Sequence, residues 1–226
     1  MILGKGSNLL VTDAGVEGAI ILLQGEFCSY QILDENRFFC GAGADLSEVS
    51  RIAAVQNLTG LEFAIGIPGS FGGGIFMNAG AYDGELSKVI ESVTWMDSEG
   101  EIAIVLVENC AFDYRKSTFQ QKSGIILGAT VSLSPGNKEE IFSKMRELTQ
   151  QRNSKQPLEW PSAGSTFKRP PGYFAGTLIQ EAGLKGFSVG GAQVSEKHSG
   201  FMINHNNATA SDVLNLIREV RERVFQ

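Results

Sequence analysis

Gly66-Ile67-Pro68-Gly69-Ser70-Phe71-Gly72-Gly73-Gly74-Ile75-Phe76-Met77-Asn78-Ala79-Gly80-Ala81-Tyr82 decides how the rest of the chain is read. Six of these residues are glycine, and each would cost about 1 kcal/mol against alanine inside a helix. Such a run makes sense where bare backbone must lie against a flat or anionic ligand. A mobile surface loop would not carry Ile67, Phe71, Ile75, Phe76 and Met77 at this density. The segment is therefore expected to be buried and in contact with a ligand.

Working outward, glycine supplies 27 of 226 residues, about 12% against a usual share of about 7%. Eight of them fall between Gly60 and Gly84. With no Gly-X-Y period and 42% hydrophobic residues, a collagen or a disordered chain is excluded. Lys and Arg number 19 against 25 Asp and Glu, a net charge of -6. No basic stripe is present for nucleic acid, so a bound phosphate would have to be held largely by backbone N–H groups. The apolar runs Gly18–Leu23 and Ile102–Val107 fall far short of the ~20 residues that span a bilayer. No signal peptide pattern opens the chain. The three cysteines, Cys28, Cys40 and Cys110, have no C-x-x-C spacing and read as buried free thiols in a reducing cytoplasm.

Apolar segments of strand length occur at Gly18–Leu23, Ser29–Leu33, Arg37–Cys40, Val89–Met96, Ile102–Val107, Gly124–Leu133 and Gly200–Ile203. Asp97-Ser98-Glu99-Gly100 reads as a hairpin turn. Helical periodicity predicts Asp45–Gln56 behind an Asp45/Glu48 capping box, Asn137–Asn153, and Thr209–Phe225 behind a Thr209/Asp212 cap. A shorter helix is predicted at Ala175–Ala182, stopped by Gly183. Four of the six prolines lie between Pro157 and Pro171, a shift that places a domain boundary near residue 135.

Four further motifs stand out. Gly4-Lys5-Gly6-Ser7-Asn8-Leu9-Leu10-Val11 could cradle a phosphate, but it lacks the third glycine of the dinucleotide fingerprint and by itself reads as a turn. Tyr114-Arg115-Lys116-Ser117 carries an arginine that alone reads as a surface or salt-bridge residue. In Pro161-Ser162-Ala163-Gly164-Ser165-Thr166-Phe167-Lys168-Arg169, three small residues open access to the Ser165 hydroxyl. Arg152, Lys155, Lys168 and Arg169 put four cations in 18 residues, which suits an anionic substrate. No G-x-S-x-G elbow supports a serine hydrolase. In Gly190-Gly191-Ala192-Gln193-Val194-Ser195-Glu196-Lys197-His198, the histidine is either a substrate contact or a structural residue. His198 and His205 have no third partner at metal-ligand spacing, so no metal site is expected.

Taken in this order, the motifs resemble one family, the UDP-N-acetylenolpyruvoylglucosamine reductases (the MurB flavoenzymes of peptidoglycan synthesis). The resemblance covers essentially the whole chain. It implies an α+β protein, with an FAD-binding domain of the vanillyl-alcohol-oxidase (PCMH) type over 1–134 and a smaller α/β substrate-binding domain over 135–226. FAD would be held by Gly4, Gly6, Ser7, Asn8 and Leu9 and by Gly66, Pro68, Gly69, Ser70, Gly72, Gly73, Asn78, Ala79 and Gly80. NADPH would pass a hydride to flavin N5, and the reduced flavin one to C3 of the enolpyruvyl group. Ser165 matches the family's proton donor to C2, completing UDP-N-acetylmuramate, and Arg115 its enolate-stabilising arginine. Tyr114, Arg152, Lys155, Lys168, Arg169 and His198 would contact the UDP-sugar. The short interval from Arg115 to Ser165 resembles the compact subtype without a substrate-capping insertion. Nucleic acid and membrane are not expected partners, and the expected location is cytoplasmic.

The family extends well before Gly4, and past the last helix to a strand whose glutamate partners the serine. The chain is therefore expected to be truncated at both ends, to bind FAD weakly or not at all, and to turn over poorly. The competing readings are another flavin oxidoreductase of the same fold and a non-catalytic FAD- or nucleotide-sugar-binding fragment.

Overall fold

The computed structural model describes residues 1–225; Gln226, the last residue of the expected second domain, lies outside the described residues. The described chain divides into two compact units, one of Met1–Gly6 with Ala19–Gln150 and one of Ser7–Gly18 with residues 151–225.

The first unit is built on a five-stranded antiparallel sheet. Its strands are β1 (Tyr30–Ile32), β2 (Arg37–Gly41), β3 (Ile90–Asp97), β4 (Ile102–Leu106) and β5 (Gly124–Ser132), in the spatial order β1-β2-β5-β3-β4. The β3–β4 turn falls where expected, with Asp97 Oδ1 accepting from the amides of Glu99 and Glu101. Three helices belong to this part of the chain: α1 (Leu46–Val55), α2 (Phe71–Phe76) and α3 (Lys138–Lys155), the last crossing the division after Gln150. The core gathers Phe38, Leu46, Val49, Phe71, Ile75, Leu86, Val93 and Val131, all fully buried. Asp45 caps α1 through Ser47, but the expected capping box is not made, because the Glu48 carboxylate takes Arg51 at 2.7 Å instead. The Gly18–Leu23 segment contributes only Ile21–Leu22, paired in parallel with Ile2–Leu3. Cys40 and Cys110 are buried and burial pushes their thiols up to about 12 and about 11, whereas Cys28, expected inside, is exposed.

The second unit carries a four-stranded antiparallel sheet of β6 (Ser162–Ser165), β7 (Ser188–Val189), β8 (Ala192–Val194) and β9 (Phe201–Asn204), ordered β6-β9-β8-β7. Helices α4 (Ala175–Glu181) and α5 (Ala210–Val224) supply Ile179, Leu216 and Val220 to a core completed by Leu184, Ala192, Val194 and Met202. The Thr209/Asp212 capping box at the start of α5 is made in both directions. Among the described residues no helix is long and apolar enough to cross a membrane.

Helix α2 shows why its glycines are needed, and they are not equivalent. A Cβ on Gly72 would lie 2.6 Å from Ala42 Cβ, and one on Gly74 3.0 Å from Leu86 Cδ1 and 3.2 Å from Leu46 Cδ2. Gly73 is exposed, and its nearest neighbour would be Ser70 Oγ at 3.1 Å. Gly72→Ala is expected to lower stability by about 1–3 kcal/mol through overpacking. Gly73→Ala is expected to change it by less than about 1 kcal/mol. Thermal denaturation of the two variants checks the contrast.

Candidate functional site

In the first unit the first two glycine motifs meet at a pair of helix starts. Asp45 and Ser70, the N-caps of α1 and α2, face each other across an antiparallel bridge. Leu46 N donates to Gly69 O at 3.0 Å and Phe71 N to Ala44 O at 2.8 Å, stitching the two starts together. Onto this pair comes the Gly4–Gly6 loop. A Cβ on Gly4 would stand 2.3 Å from Ser70 Oγ, so the loop backbone lies directly on that hydroxyl. Lys5 Nζ pairs with the Asp45 carboxylate. Burial pushes that carboxyl up, but bonds from Lys5 and from the Ser47 amide outweigh it and hold it below its usual range. Asp45 was legible in the sequence only as a cap; its lysine partner 40 residues away was not.

The amides at the start of α2 are not available to an anion. Phe71 and Gly72 donate to the Ala44 and Ala42 carbonyls and Gly73 to Ser70 Oγ. What this face offers is uncovered backbone at Gly73, open space beside Gly6, the exposed ring of Pro68 and the charge of Lys5. These features fit a dinucleotide lying against bare chain. Gly66, Gly69 and Gly80 are half-buried, while Gly72, Asn78 and Ala79 are buried.

The third motif is laced onto the end of the second. Arg115 Nη2 donates to Gly80 O at 2.8 Å, and the buried Ser117 hydroxyl donates to Phe76 O at 2.7 Å. Asn78, 1% exposed, donates from Nδ2 to Asp113 O at 3.1 Å and accepts from Ser87 N at 3.0 Å. Arg115 is held at φ 55, a left-handed backbone that a non-glycine residue adopts only when its surroundings impose it. Its guanidinium stands 5.2 Å from the ring of the exposed Tyr114. Asn78→Ala would leave two backbone groups without their partner, and is expected to destabilise by about 2–4 kcal/mol, read as a lowered thermal midpoint.

In the second unit, Ser165 ends β6 just after a bulge. Ser162 pairs with Ile203 and Ser165 with Phe201, so one extra residue sits on the β6 side. Gly164 takes it up at φ 67, which re-aims the exposed Ser165. A Cβ built on Gly200 would fall 3.6 Å from Ser165 Oγ and 3.3 Å from His198 Nδ1, so the serine and the histidine flank that glycine. The ring is fixed by Gly200 N donating to Nδ1 at 3.1 Å and by an edge-on contact with Phe201. Burial, with Lys185 nearby, pulls its pKa below the ordinary histidine value. Lys155 and Lys168 are exposed, Arg152 is half-buried, and Arg169 stacks over Phe174 at 3.9 Å. Lys197 of the last motif and Lys185, Thr177 and Gln180, which no motif flagged, share an open groove of about 310 Å³ with His198. Ser7, Asn8 and Leu9 are exposed and belong to this second unit. Among the described residues no group of three or more His, Cys, Asp or Glu is placed to hold a metal ion.

With Nδ1 accepting, the neutral His198 carries its proton on Nε2. The lowered pKa means that the stability linked to this ring is complete above about pH 6.5 and declines as pH falls from there toward the folded value. Nitrogen-detected NMR is expected to show the Nε2–H tautomer at pH 7 and a titration midpoint below that of an unperturbed histidine.

Two family models match separate parts of the chain. Residues 1–105 match the family model of an FAD binding domain. Residues 156–226 match that of the UDP-N-acetylenolpyruvoylglucosamine reductase C-terminal domain. The chain is 52% identical over 223 residues to the UDP-N-acetylenolpyruvoylglucosamine reductase of Caldanaerobacter subterraneus, covering 99% of itself and 73% of that relative. It is 52% identical over 225 residues to that of Clostridium beijerinckii, with the same coverages. The crystal structure of the UDP-N-acetylenolpyruvylglucosamine reductase from Thermus caldophilus matches at a TM-score of 0.86 and 41% identity, covering 98% of this chain and 80% of that one.

Proposed function

This chain belongs to the UDP-N-acetylenolpyruvoylglucosamine reductase family, and from that premise we propose that it reduces the enolpyruvyl ether of a UDP-N-acetylglucosamine to the lactyl ether of UDP-N-acetylmuramate, a step of peptidoglycan synthesis. The observation that carries this reading is the meeting of the Gly4–Gly6 loop with Ser70, with Arg115 held on Gly80 at the far end of the same glycine run. That arrangement fits a flat dinucleotide on bare backbone with a cationic group at its end. FAD is the cofactor; when bound, it would supply hydride chemistry between NADPH and C3 of the enolpyruvyl group.

The chain's own residues do the rest. Residues 1–134 hold FAD and 135–226 hold the UDP-sugar. The Ser165 hydroxyl, aimed outward by the Gly164 bulge, donates a proton to C2. Arg115 stabilises the enolate-like charge that precedes this transfer; of its five N–H donors one is spent on Gly80. Lys155, Lys168, Arg152 and Arg169 neutralise the diphosphate, and Tyr114 and His198 add polar contacts, His198 as an Nε2–H donor. A nucleotide-sugar substrate places the reaction in the cytoplasm. Ser165→Ala is expected to leave flavin reduction by NADPH unchanged and to slow reoxidation by the enolpyruvyl substrate by about 10²–10⁴-fold. Stopped-flow absorbance of the two half-reactions reads this directly, and unchanged reoxidation would remove Ser165 from the role.

A further inference from the structure

Asp13 joins two stretches of sequence nearly 200 residues apart. It sits in the Thr12-Asp13-Ala14-Gly15 turn, closed by Gly15 N donating to Thr12 O at 2.9 Å and Thr12 Oγ1 to Gly15 O at 3.0 Å. Its Oδ1 accepts from Ala210 N at 2.6 Å, and its Oδ2 from Ser211 N at 3.0 Å and Ser211 Oγ at 2.6 Å. These are first-turn groups of α5, amides that a helix cannot satisfy internally. The Ser211 hydroxyl, then the Ala210 and Ser211 amides, hold the Asp13 carboxyl below its usual range, so it is charged at neutral pH.

Helix α5 does not need Asp13 to be capped. Thr209 Oγ1 accepts from Asp212 N and Asp212 Oδ2 from Thr209 N, and Oδ2 also accepts from Gly191 N. The beneficiary is the segment around Asp13. Residues 7–18 contain no helix or strand and are exposed throughout, with Leu9, Leu10 and Val11 each more than 40% exposed. No hydrophobic burial anchors them. Yet they belong to the compact unit of 151–226, although the residues on either side of them in sequence belong to the other.

We propose that Asp13 is a positioning residue: its carboxylate clasps residues 7–18 to the start of α5 and thereby fixes Ser7, Asn8 and Leu9 for FAD uptake. The link to FAD rests on the assignment of those three residues above, while the clasp stands on the hydrogen bonds alone. Three variants of the full chain test it: Asp13→Ala, Asp13→Glu, and Thr209→Ala, which breaks the capping box without touching the clasp. Thermolysin cleavage within residues 7–18 is followed without flavin, and FAD uptake by flavin fluorescence and circular dichroism. Asp13→Ala is expected to be cut about tenfold faster in this segment and to bind FAD at least about fivefold more weakly. Asp13→Glu restores both in part. Thr209→Ala lowers the thermal midpoint while leaving both near wild type. Unchanged cleavage in Asp13→Ala overturns the clasp. Equal loss of FAD affinity in Thr209→Ala reduces Asp13 to a helix cap and overturns the positioning role. If the unmodified chain takes up no FAD, the FAD assignment fails for this chain and the positioning role with it, and cleavage alone decides the clasp.

Discussion

Between Gly72 and Ala42 there is room for a hydrogen atom and not for a methyl group, since an added Cβ would stand 2.6 Å from the alanine's own. That approach lets the Phe71 and Gly72 amides reach the carbonyls of Ala44 and Ala42, which continue directly from β2. Helix α2 is thereby set against the sheet with its first turn already hydrogen-bonded. Its N-cap Ser70 is brought opposite Asp45 and becomes the seat of Gly4; its C-terminal end presents Phe76 O to Ser117, and the chain just beyond it presents Gly80 O to Arg115. A shift of α2 by a fraction of an ångström would move the loop seat and the arginine together. Protein interiors are too close-packed to absorb such a shift silently.

The second unit places its chemistry by different means. A one-residue bulge at Gly164, rather than a helix, aims Ser165, and Gly200 leaves the serine and His198 on either side of it. The histidine is kept neutral by burial and by an amide that occupies its Nδ1. In a chain with a net charge of -6, this unit sets Lys185 and Lys197 in the groove beside His198 and leaves Lys155 and Lys168 exposed.

Much of this was legible in residues alone. The 3.6-residue periods of α1, α3 and α5 and the apolar runs of the longer strands place those elements within a few positions, because local pattern and burial agree there. The Thr209/Asp212 box formed as its spacing implied, whereas the Asp45/Glu48 pair did not. The difference lies in a competitor: Arg51, one turn on, is a charged partner for Glu48 and wins over the backbone. Cys28 resembled the two buried cysteines but stands exposed, at the end of a short helical turn just before β1 that buries none of its residues.

The order of the glycine runs, the Tyr-Arg-Lys-Ser and Ala-Gly-Ser motifs and the cations between them carry the family, because motif order survives without knowledge of any contact. Tertiary packing sets which glycines face inward, against Ala42 and Leu46, and which remain exposed. Only it tied Lys5 to Asp45, Arg115 to Gly80 and Asp13 to the start of α5. The physical reason is that pairings across 35 to 198 residues have no local signature; they exist once packed cores have fixed where each backbone group points.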